Sequence, residues 1–480
     1  MDGGSEKRRD FYQRKTFPFS SSSSCSGKQL TSMKPGKDRL SEMPDEILVH
    51  ILSYLPTAEA VRTMLIRPFG NLWTLIPSLE FEYNEVLLTL IPDGTCSWDD
   101  VRRFFTFVRN VLILHKRPFI DEFGLYIISM YSDERRSECG DDIRMCLKFA
   151  LDKQAKAIYF TEGDEELSES SDYPNFISES LITLQLAFFI IYPELQVDLG
   201  SLKELTLNHV TMTEEGFQQF ISGCPSLQVL HLYNPYEIRT LSFSVPNIRK
   251  LFLCFEKDDP DTDPWVLDFP NLKSLDLCLY GIPNVYHINF SSVRYVKLEV
   301  FNFEVDDENK LRMFKLFLEK LSQSEVFRLS DHLSEIFLHL LEDLHLLQIR
   351  WKRVVLPLGI FCQSCLLGVY GLMRSSKDLE ELDIYTNTTS ACRASVDLPP
   401  VELSNPCVMP KLKTVTLYGF EKPWKHQLQL VEFLLKSATA LEKLVIVPNE
   451  GQFSITEKQD FVMHVSSFQR SSPSARVLFL

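Results

Sequence analysis

LKELTL at Leu202–Leu207, LQVLHL at Leu227–Leu232, IRKLFL at Ile248–Leu253 and LKSLDL at Leu272–Leu277 are four settings of one pattern, L-x-x-L-x-L. Its fourth and sixth positions are apolar and the residues between them mostly polar, which is the two-residue period of a strand with one buried face. Outward in both directions the pattern continues as LITLQL (Leu181–Leu186) and VRYVKL (Val293–Leu298). Later copies are LHLLQI (Leu344–Ile349), LEELDI (Leu379–Ile384), LKTVTL (Leu412–Leu417) and LEKLVI (Leu441–Ile446), with a weaker one in SEVFRL (Ser324–Leu329). The central residues Leu184, Leu205, Leu230, Leu251, Leu275 and Val296 stand 21, 25, 21, 24 and 21 residues apart. One short strand per repeat at that period buries its apolar side only when neighbouring repeats stack.

The period is that of leucine-rich repeats, so the fold class is α/β: a curved solenoid with a parallel sheet on its concave face. A Pro stands ahead of several strands, in Cys224-Pro225-Ser226-Leu227, Val245-Pro246-Asn247-Ile248, Phe269-Pro270-Asn271-Leu272 and Met409-Pro410-Lys411-Leu412. Pro ends the preceding element and lacks only a donor that an incoming strand can spare. Positions between the leucines face the concave side, where solenoids bind partners. They include His231, Tyr233, Phe252, Asp276, Tyr280, Tyr295, Lys297, Arg328, Arg350, Glu381, Tyr385 and Tyr418. Tyr, Arg and Phe gathered on one surface suit a protein interface, and Tyr233, Phe252, Tyr280, Tyr295, Arg328, Arg350, Tyr385 and Tyr418 are the candidate target-binding set.

Ahead of the repeats the chain changes character. Residues 1–37 hold SSSSCS (Ser21–Ser26), scattered charge and few apolar groups, the composition of a disordered leader. DRLSEMPDEILVHILSYLPTAEAV (Asp38–Val61) then reads as two helices. Pro44 fits a first turn, with Asp45 and Glu46 at the positive end of the dipole. Ile47, Leu48, Ile51, Leu52 and Leu55 form one apolar stripe; Pro56 stops the helix, and Thr57 is placed to cap the next. A third apolar piece, Asn71-Leu72-Trp73, follows Pro68 and Gly70, which interrupt a helix there. So small a helical block cannot bury a core alone and must find another surface. Farther on, the pattern predicts a helix over Trp98–Asn110, a strand over Val111–Leu114 and a helix over Asp141–Lys153.

A chain of 480 residues exceeds one ordinary core. Its net charge of −15, with no stripe of Lys and Arg in the sequence, argues against nucleic acid as partner. The first twenty residues lack the apolar centre of a secretory leader, so the 11 cysteines are expected as reduced thiols in cytoplasm or nucleus. The longest apolar run, Leu181–Tyr192, is too short to span a bilayer, and no membrane association is expected.

Catalytic constellations are not found. Eighteen glycines supply no phosphate-cradling loop. Cys362-Gln363-Ser364-Cys365 is a single C-x-x-C without two further zinc ligands, and Cys254 and Cys278 follow equivalent strand leucines, which repeat packing explains. His209, His231 and His345 lie on or beside strands as packing or surface residues. The acidic runs at Glu162–Glu166 and Asp258–Asp263 lack the ligand spacing of a calcium loop. No cofactor, metal or enzymatic activity is expected.

Asp38–Val61 with NLWTLIPSLEF (Asn71–Phe81), the repeats, and MPKLKTVTLYGFEKPWKHQLQLVEFLLKSATALEKLVIV (Met409–Val447) together resemble the plant F-box/FBD/LRR-repeat proteins. The resemblance implies an F-box over 38–82, a solenoid over 98–400 and an FBD segment over 401–480 that completes and caps it. It further implies a substrate-recognition subunit of a Skp–cullin–F-box ubiquitin ligase, bound to a Skp-type adaptor and through it to cullin. The adaptor-facing residues would be Leu40, Pro44, Ile47, Leu48, Ile51, Leu52, Leu55, Pro56, Val61 and Trp73, and the target is a protein the sequence does not identify. At the F-box end this chain reads MLIRPFGNLW (Met64–Trp73), with Phe69 where the family has tryptophan. Two alternatives remain: an interaction solenoid with a degenerate F-box and no ligase role, and a small-molecule co-receptor using Arg328, Arg350 and Tyr385.

Overall fold

Fifteen short strands join edge to edge in one parallel sheet among the described residues, and their order in the sheet is their order in the chain. The computed structural model describes residues 40–83, 98–127, 140–162, 174–236, 242–245, 247–255, 265–281, 285–301, 308–329, 349–358, 363–386, 408–420, 425–449 and 455–480. The leader over 1–37, all of LHLLQI but Ile349, Cys362 of the C-x-x-C pair and nearly all of both acidic runs lie outside them.

The strands are β1 (Ser78–Glu82), β2 (Glu122–Ile127), β3 (Ala157–Glu162), β4 (Thr183–Ala187) and β5 (Glu204–Asn208). Then come β6 (Val229–Tyr233), β7 (Lys250–Phe255), β8 (Ser274–Tyr280), β9 (Tyr295–Phe301) and β10 (Val326–Leu329). The series closes with β11 (Arg353–Leu358), β12 (Glu381–Thr386), β13 (Thr414–Phe420), β14 (Lys443–Pro448) and β15 (Arg476–Phe479). Three of these, β13 to β15, come from the FBD segment and simply extend the sheet.

The motif leucines explain the stacking. Leu205, Leu230, Leu251, Leu275 and Val296 are in register across adjacent strands, as are Leu207, Leu232, Leu253, Leu277 and Leu298. All are buried in one continuous core. Each such side chain contributes about 1.5–3 kcal/mol by leaving water, available only because the next repeat covers it. The first apolar residue of each copy closes the turn before the strand: Leu227 N–H donates to Cys224 O, Ile248 to Val245 O, Leu272 to Phe269 O and Val293 to Phe290 O. Pro225 and Pro270 occupy the second position of these turns, where a fixed φ costs least.

A second regularity runs along the edge where the strands begin. From β2 to β13 the carbonyl of the residue preceding the strand accepts two successive N–H groups from the next repeat. Lys203 O thus takes Gln228 and Val229, Arg249 O takes Lys273 and Ser274, and Lys273 O takes Arg294 and Tyr295. These pre-strand residues therefore lie side by side, one per repeat.

Helices return the chain on the outer side: α3 (Trp98–Leu114), α4 (Gly140–Asp152), α5 (Glu214–Ser222), α6 (Glu308–Leu321), α7 (Gln363–Ser375), α8 (Lys425–Ser437) and α9 (Ile455–Ser466). Ahead of them stand α1 (Asp45–Leu52) and α2 (Thr57–Arg62). Behind β6 to β9 the short strands Ser242–Ser244, Trp265–Asp268 and Val285–Asn289 take the helices' place as a second parallel sheet. Among the described residues no helix is long and apolar enough to cross a membrane.

Three sequence expectations need correction. Val111–Leu114 is not a strand but the last turn of α3, because Val101, Phe104, Phe105, Val108, Val111 and Leu112 form one buried helical stripe. The solenoid sheet begins at Ser78, inside the span assigned to the F-box, and not at residue 98. The strand expected in LHLLQI is Arg353–Leu358, which pairs with β10 and β12.

Candidate functional site

The helical block at the start of the described chain divides its apolar residues between two surfaces. Pro44, with φ −60°, precedes α1 and no side chain caps it, so the acidic first turn of Asp45 and Glu46 carries the N-terminus. Leu48 and Leu52 are 1% and 0% exposed, and Trp73 is buried beside them. Of the ten expected adaptor-facing residues these three turn inward, Leu52 and Trp73 into the protein's continuous core, with Val61 half-buried against it. Ile47 and Ile51 remain 48% and 36% exposed, next to exposed Leu40, Pro44, Leu55 and Pro56. The single stripe read from sequence is thus two neighbouring stripes about 100° apart on one helix.

The inner stripe of α1 packs on the turn at Leu72–Leu75, while α2 packs on β1 of the first repeat. Thr57, expected to cap α2, makes no cap; its hydroxyl accepts the Glu80 N–H of β1 at 2.7 Å. Leu52, Ala58, Ala60, Trp73 and Ile76 join Leu79 and Phe81 in the same core that runs on through the repeats. At the same seam buried His115, just beyond α3, holds Ile76 O at 3.0 Å through Nε2. Burial lowers its pKa, so the ring stays neutral there. After α2 the chain does not form a third α-helix. It makes a 3-10 turn over Thr63–Leu65, a bend carrying Gly70 at φ +46°, and a second 3-10 turn over Leu72–Leu75. Met64, Leu65 and Ile66 are left exposed on that bend.

The concave face presents the positions between the leucines. Tyr233, Phe252, Tyr280, Tyr295, Arg328, Tyr385 and Tyr418 all occupy them. The structure gathers these residues into groups. Tyr233 packs on Phe252 with centroids 4.4 Å apart and His231 beside both. Tyr385 stacks on Tyr418 at 4.2 Å, and Tyr280 on Phe301 at 5.4 Å. Between the aromatic groups runs a polar row, Asp276–Lys297–Arg328, in register across β8 to β10. One Asp276 carboxylate oxygen is buried without a hydrogen bond, and burial raises that group's pKa against the opposing Lys297 and Arg328 charges.

Arg350 is the exception. It precedes β11, where its N–H donates to Ser322 O, and is not at a concave strand position. The residue that takes that place is Arg353, clamped on Asp383 at 2.6 Å and 3.1 Å. The decoy was the leucine pattern of LHLLQI; the alternation Val354, Leu356, Leu358 in RVVLPL was the signal that locates the strand. Trp351 confirms the frame by stacking 3.9 Å from Phe327 in the core. His209 stacks at 4.9 Å on Phe188, a packing role.

Geometry therefore defines a leucine-rich-repeat solenoid whose first repeat carries a helical block with an apolar outer stripe. Three family models match: the F-box domain over residues 40–66, the LRR repeats of FBD-associated F-box protein At5g56370 over 174–328, and FBD over 405–446. F-box/FBD/LRR-repeat protein At5g56420 of Arabidopsis thaliana is 25% identical over 92% of this chain and 99% of its own length. F-box/FBD/LRR-repeat protein At3g26920, also from Arabidopsis thaliana, is 25% identical over 92% of the chain and 96% of its own. F-box/FBD/LRR-repeat protein At3g52680 of the same plant is 28% identical, matching 55% of this chain, which spans 58% of that relative's length. The chain thus carries F-box, LRR and FBD segments in the order of the plant F-box/FBD/LRR-repeat proteins, to which it is similar over 92% of its length.

Proposed function

We propose that the chain is the substrate-recognition subunit of a Skp–cullin–F-box ubiquitin ligase. The observation that carries this reading is the outer stripe Ile47 and Ile51 with flanking Leu40 and Leu55, left uncovered on and beside a helix whose other stripe is buried against the Leu72–Leu75 turn. Contiguous exposed apolar surface of this kind marks a protein interface. A Skp-type adaptor would cover it and link the chain to cullin, while the concave face of β6 to β13 would hold a target protein. In this reading the chain performs no chemistry. It raises the effective concentration of the target's lysines at the ubiquitin-charged enzyme. The cytoplasm or nucleus would be its place of action.

Co-purification of the chain with a Skp-type adaptor tests the reading. The double variant Ile47→Asp, Ile51→Asp keeps Leu48 and Leu52 in the core and removes only the exposed stripe. Capture of the wild type and loss with the variant is the expected result. Failure of the wild type to bind would favour the second reading, an interaction solenoid without ligase function. The specific observation on that side is the bend at Ile66–Gly70, which replaces a third helix.

A further inference from the structure

The pre-strand residues aligned by the carbonyl ladder read, in order, Asp121, Lys156, Ile182, Lys203, Gln228, Arg249, Lys273, Arg294, Glu325, Lys352, Glu380, Lys413 and Glu442. At both ends of this rim charges alternate and pair across one strand step. Lys156 meets Asp121 at 2.8 Å, Lys352 meets Glu325 at 3.3 Å and Lys413 meets Glu380 at 2.8 Å. The middle is different. Lys203, Arg249, Lys273 and Arg294 are all exposed, and none forms an ion pair with another described residue. Lys250, at the first position of β7, adds a fifth exposed cation beside Arg249. The turns that carry this stretch read GSLK, PSLQ, PNIR, PNLK and SSVR, without one acidic residue.

Repeat spacing hid this stripe from sequence reading: its members lie 21 to 46 residues apart, and only the sheet sets them about 4.8 Å per strand. The expectation that no row of Lys and Arg exists is corrected on that ground. Arg249, Lys273 and Arg294 stand on consecutive strands, an arrangement of like charges that opposes folding. The same row relieves that repulsion with acids elsewhere, so its absence here is a local property and not a constraint of the fold.

We infer that this rim, from Lys203 to Arg294, docks an acidic segment of the target protein, rich in Asp and Glu and lying along the row. The inference rests on the receptor reading for the identity of the partner as a target, but not on adaptor binding. Charge complementarity selects the occupant. The cations are spread over roughly 19 Å in single file. A phosphate group asks for donors converging on one point, whereas carboxylates distributed along an extended peptide match a line. Nucleic acid is disfavoured because Glu325 closes the row at one end and the chain as a whole carries −15. The partner would lie beside the concave aromatic groups, which supply the apolar contacts that a charged rim does not.

The test uses the full chain with a labelled Glu-rich peptide, its Lys-rich counterpart, a phosphoserine peptide of matched net charge with no Asp or Glu, and a single-stranded oligonucleotide of matched charge. The Glu-rich peptide should bind most tightly and weaken with added salt. The triple variant Arg249→Gln, Lys273→Gln, Arg294→Gln should lower its affinity about ten-fold, since rim charges contribute modestly one by one. Removing like charges should leave thermal stability equal or higher, so lost binding would not reflect misfolding. Lys352→Gln with Lys413→Gln, on the same row but already paired, should change affinity less than two-fold, within the scatter set by screened surface pairs. No binding of the Glu-rich peptide, equal or tighter binding of the phosphopeptide or oligonucleotide, or a triple variant like wild type would each overturn the inference. Adaptor co-purification is read separately, so failure of the ligase reading and failure of the rim are distinguishable.

Discussion

Four consecutive-turn residues of α1 should give opposite phenotypes in pairs. Leu48 and Leu52 are essentially fully buried, while Ile47 and Ile51 keep 48% and 36% of their surface in water. Truncating a core Leu to Ala costs about 2–5 kcal/mol in lost transfer energy and cavity. Leu48→Ala and Leu52→Ala should therefore each destabilise the chain before any partner is added. Ile47→Ala and Ile51→Ala leave the packed side of the helix intact and should shift stability by about 0.5 kcal/mol or less. Their effect should fall on adaptor binding. Full burial of an Ile is worth about 1.5–3 kcal/mol, so the exposed fractions here represent at most about 1.2–2.5 kcal/mol for the pair. That is a weakening of about 7- to 60-fold. Thermal unfolding and hydrogen exchange of the α1 and β1 amides read the first effect, and titration calorimetry with a Skp-type adaptor reads the second. The reasoning fails if the Ile pair lowers stability as far as the Leu pair, or if the Leu variants unfold like wild type.

Three other perturbations follow from single sites. Since burial holds the His115 pKa below its usual 6.5, the neutral ring favours the fold; that stability is complete above about pH 6.5 and is lost as pH falls through the lowered folded value. Acid titration of unfolding should show this loss, and His115→Phe should remove it. Arg353→Ala leaves buried Asp383 without its two guanidinium hydrogen bonds; because Arg353 itself is half-exposed, the cost should be about 1–2 kcal/mol by chemical denaturation. Gly419 sits at φ +73°, and a Cβ there would collide with the Thr386 carbonyl, so Gly419→Ala should cost about 2–4 kcal/mol and expose the β12–β13 edge to exchange.

The repeats were legible because leucine at fixed spacing has one physical meaning once each strand is four to seven residues long. The first three strands were not. SLEFE, EFGLYI and AIYFTE use Phe, Ile and Leu at the inner positions, and Ile76, Ile120 and Ala155 stand where most later copies have a leading leucine. Their alternation is only two residues deep on each side, too short to separate from a helix end. The division of α1 was hidden for another reason. Ile47, Leu48, Ile51 and Leu52 are equally apolar, and which pair is covered depends on where the Leu72–Leu75 turn lies, a contact twenty-odd residues away in sequence. Arg350 was misplaced by a false leucine pattern, and the rim cations were invisible because nothing in a linear reading aligns turns from different repeats.

One helix thus serves two neighbours, and this explains its composition better than either role alone. A solenoid needs a cover for its first repeat, and a cover with a polar outer face is the ordinary solution. Here the cover is fastened by the Thr57–Glu80 hydrogen bond and by Leu52, Ala58 and Trp73, so the end of the sheet is already sealed. Nothing in capping requires Ile47, Ile51, Leu40 and Leu55 to be apolar, and leaving them in water forgoes solubility without adding to the core. A second partner is the physical reason to keep them. The continuous core from α1 to β1 also bears on what such a partner would gain. If the helix were joined to the repeats by a loose tether, a bound target would sample many positions relative to the adaptor. A shared core fixes one geometry, so the distance from the outer stripe to the rim and the concave face is set by the sheet itself.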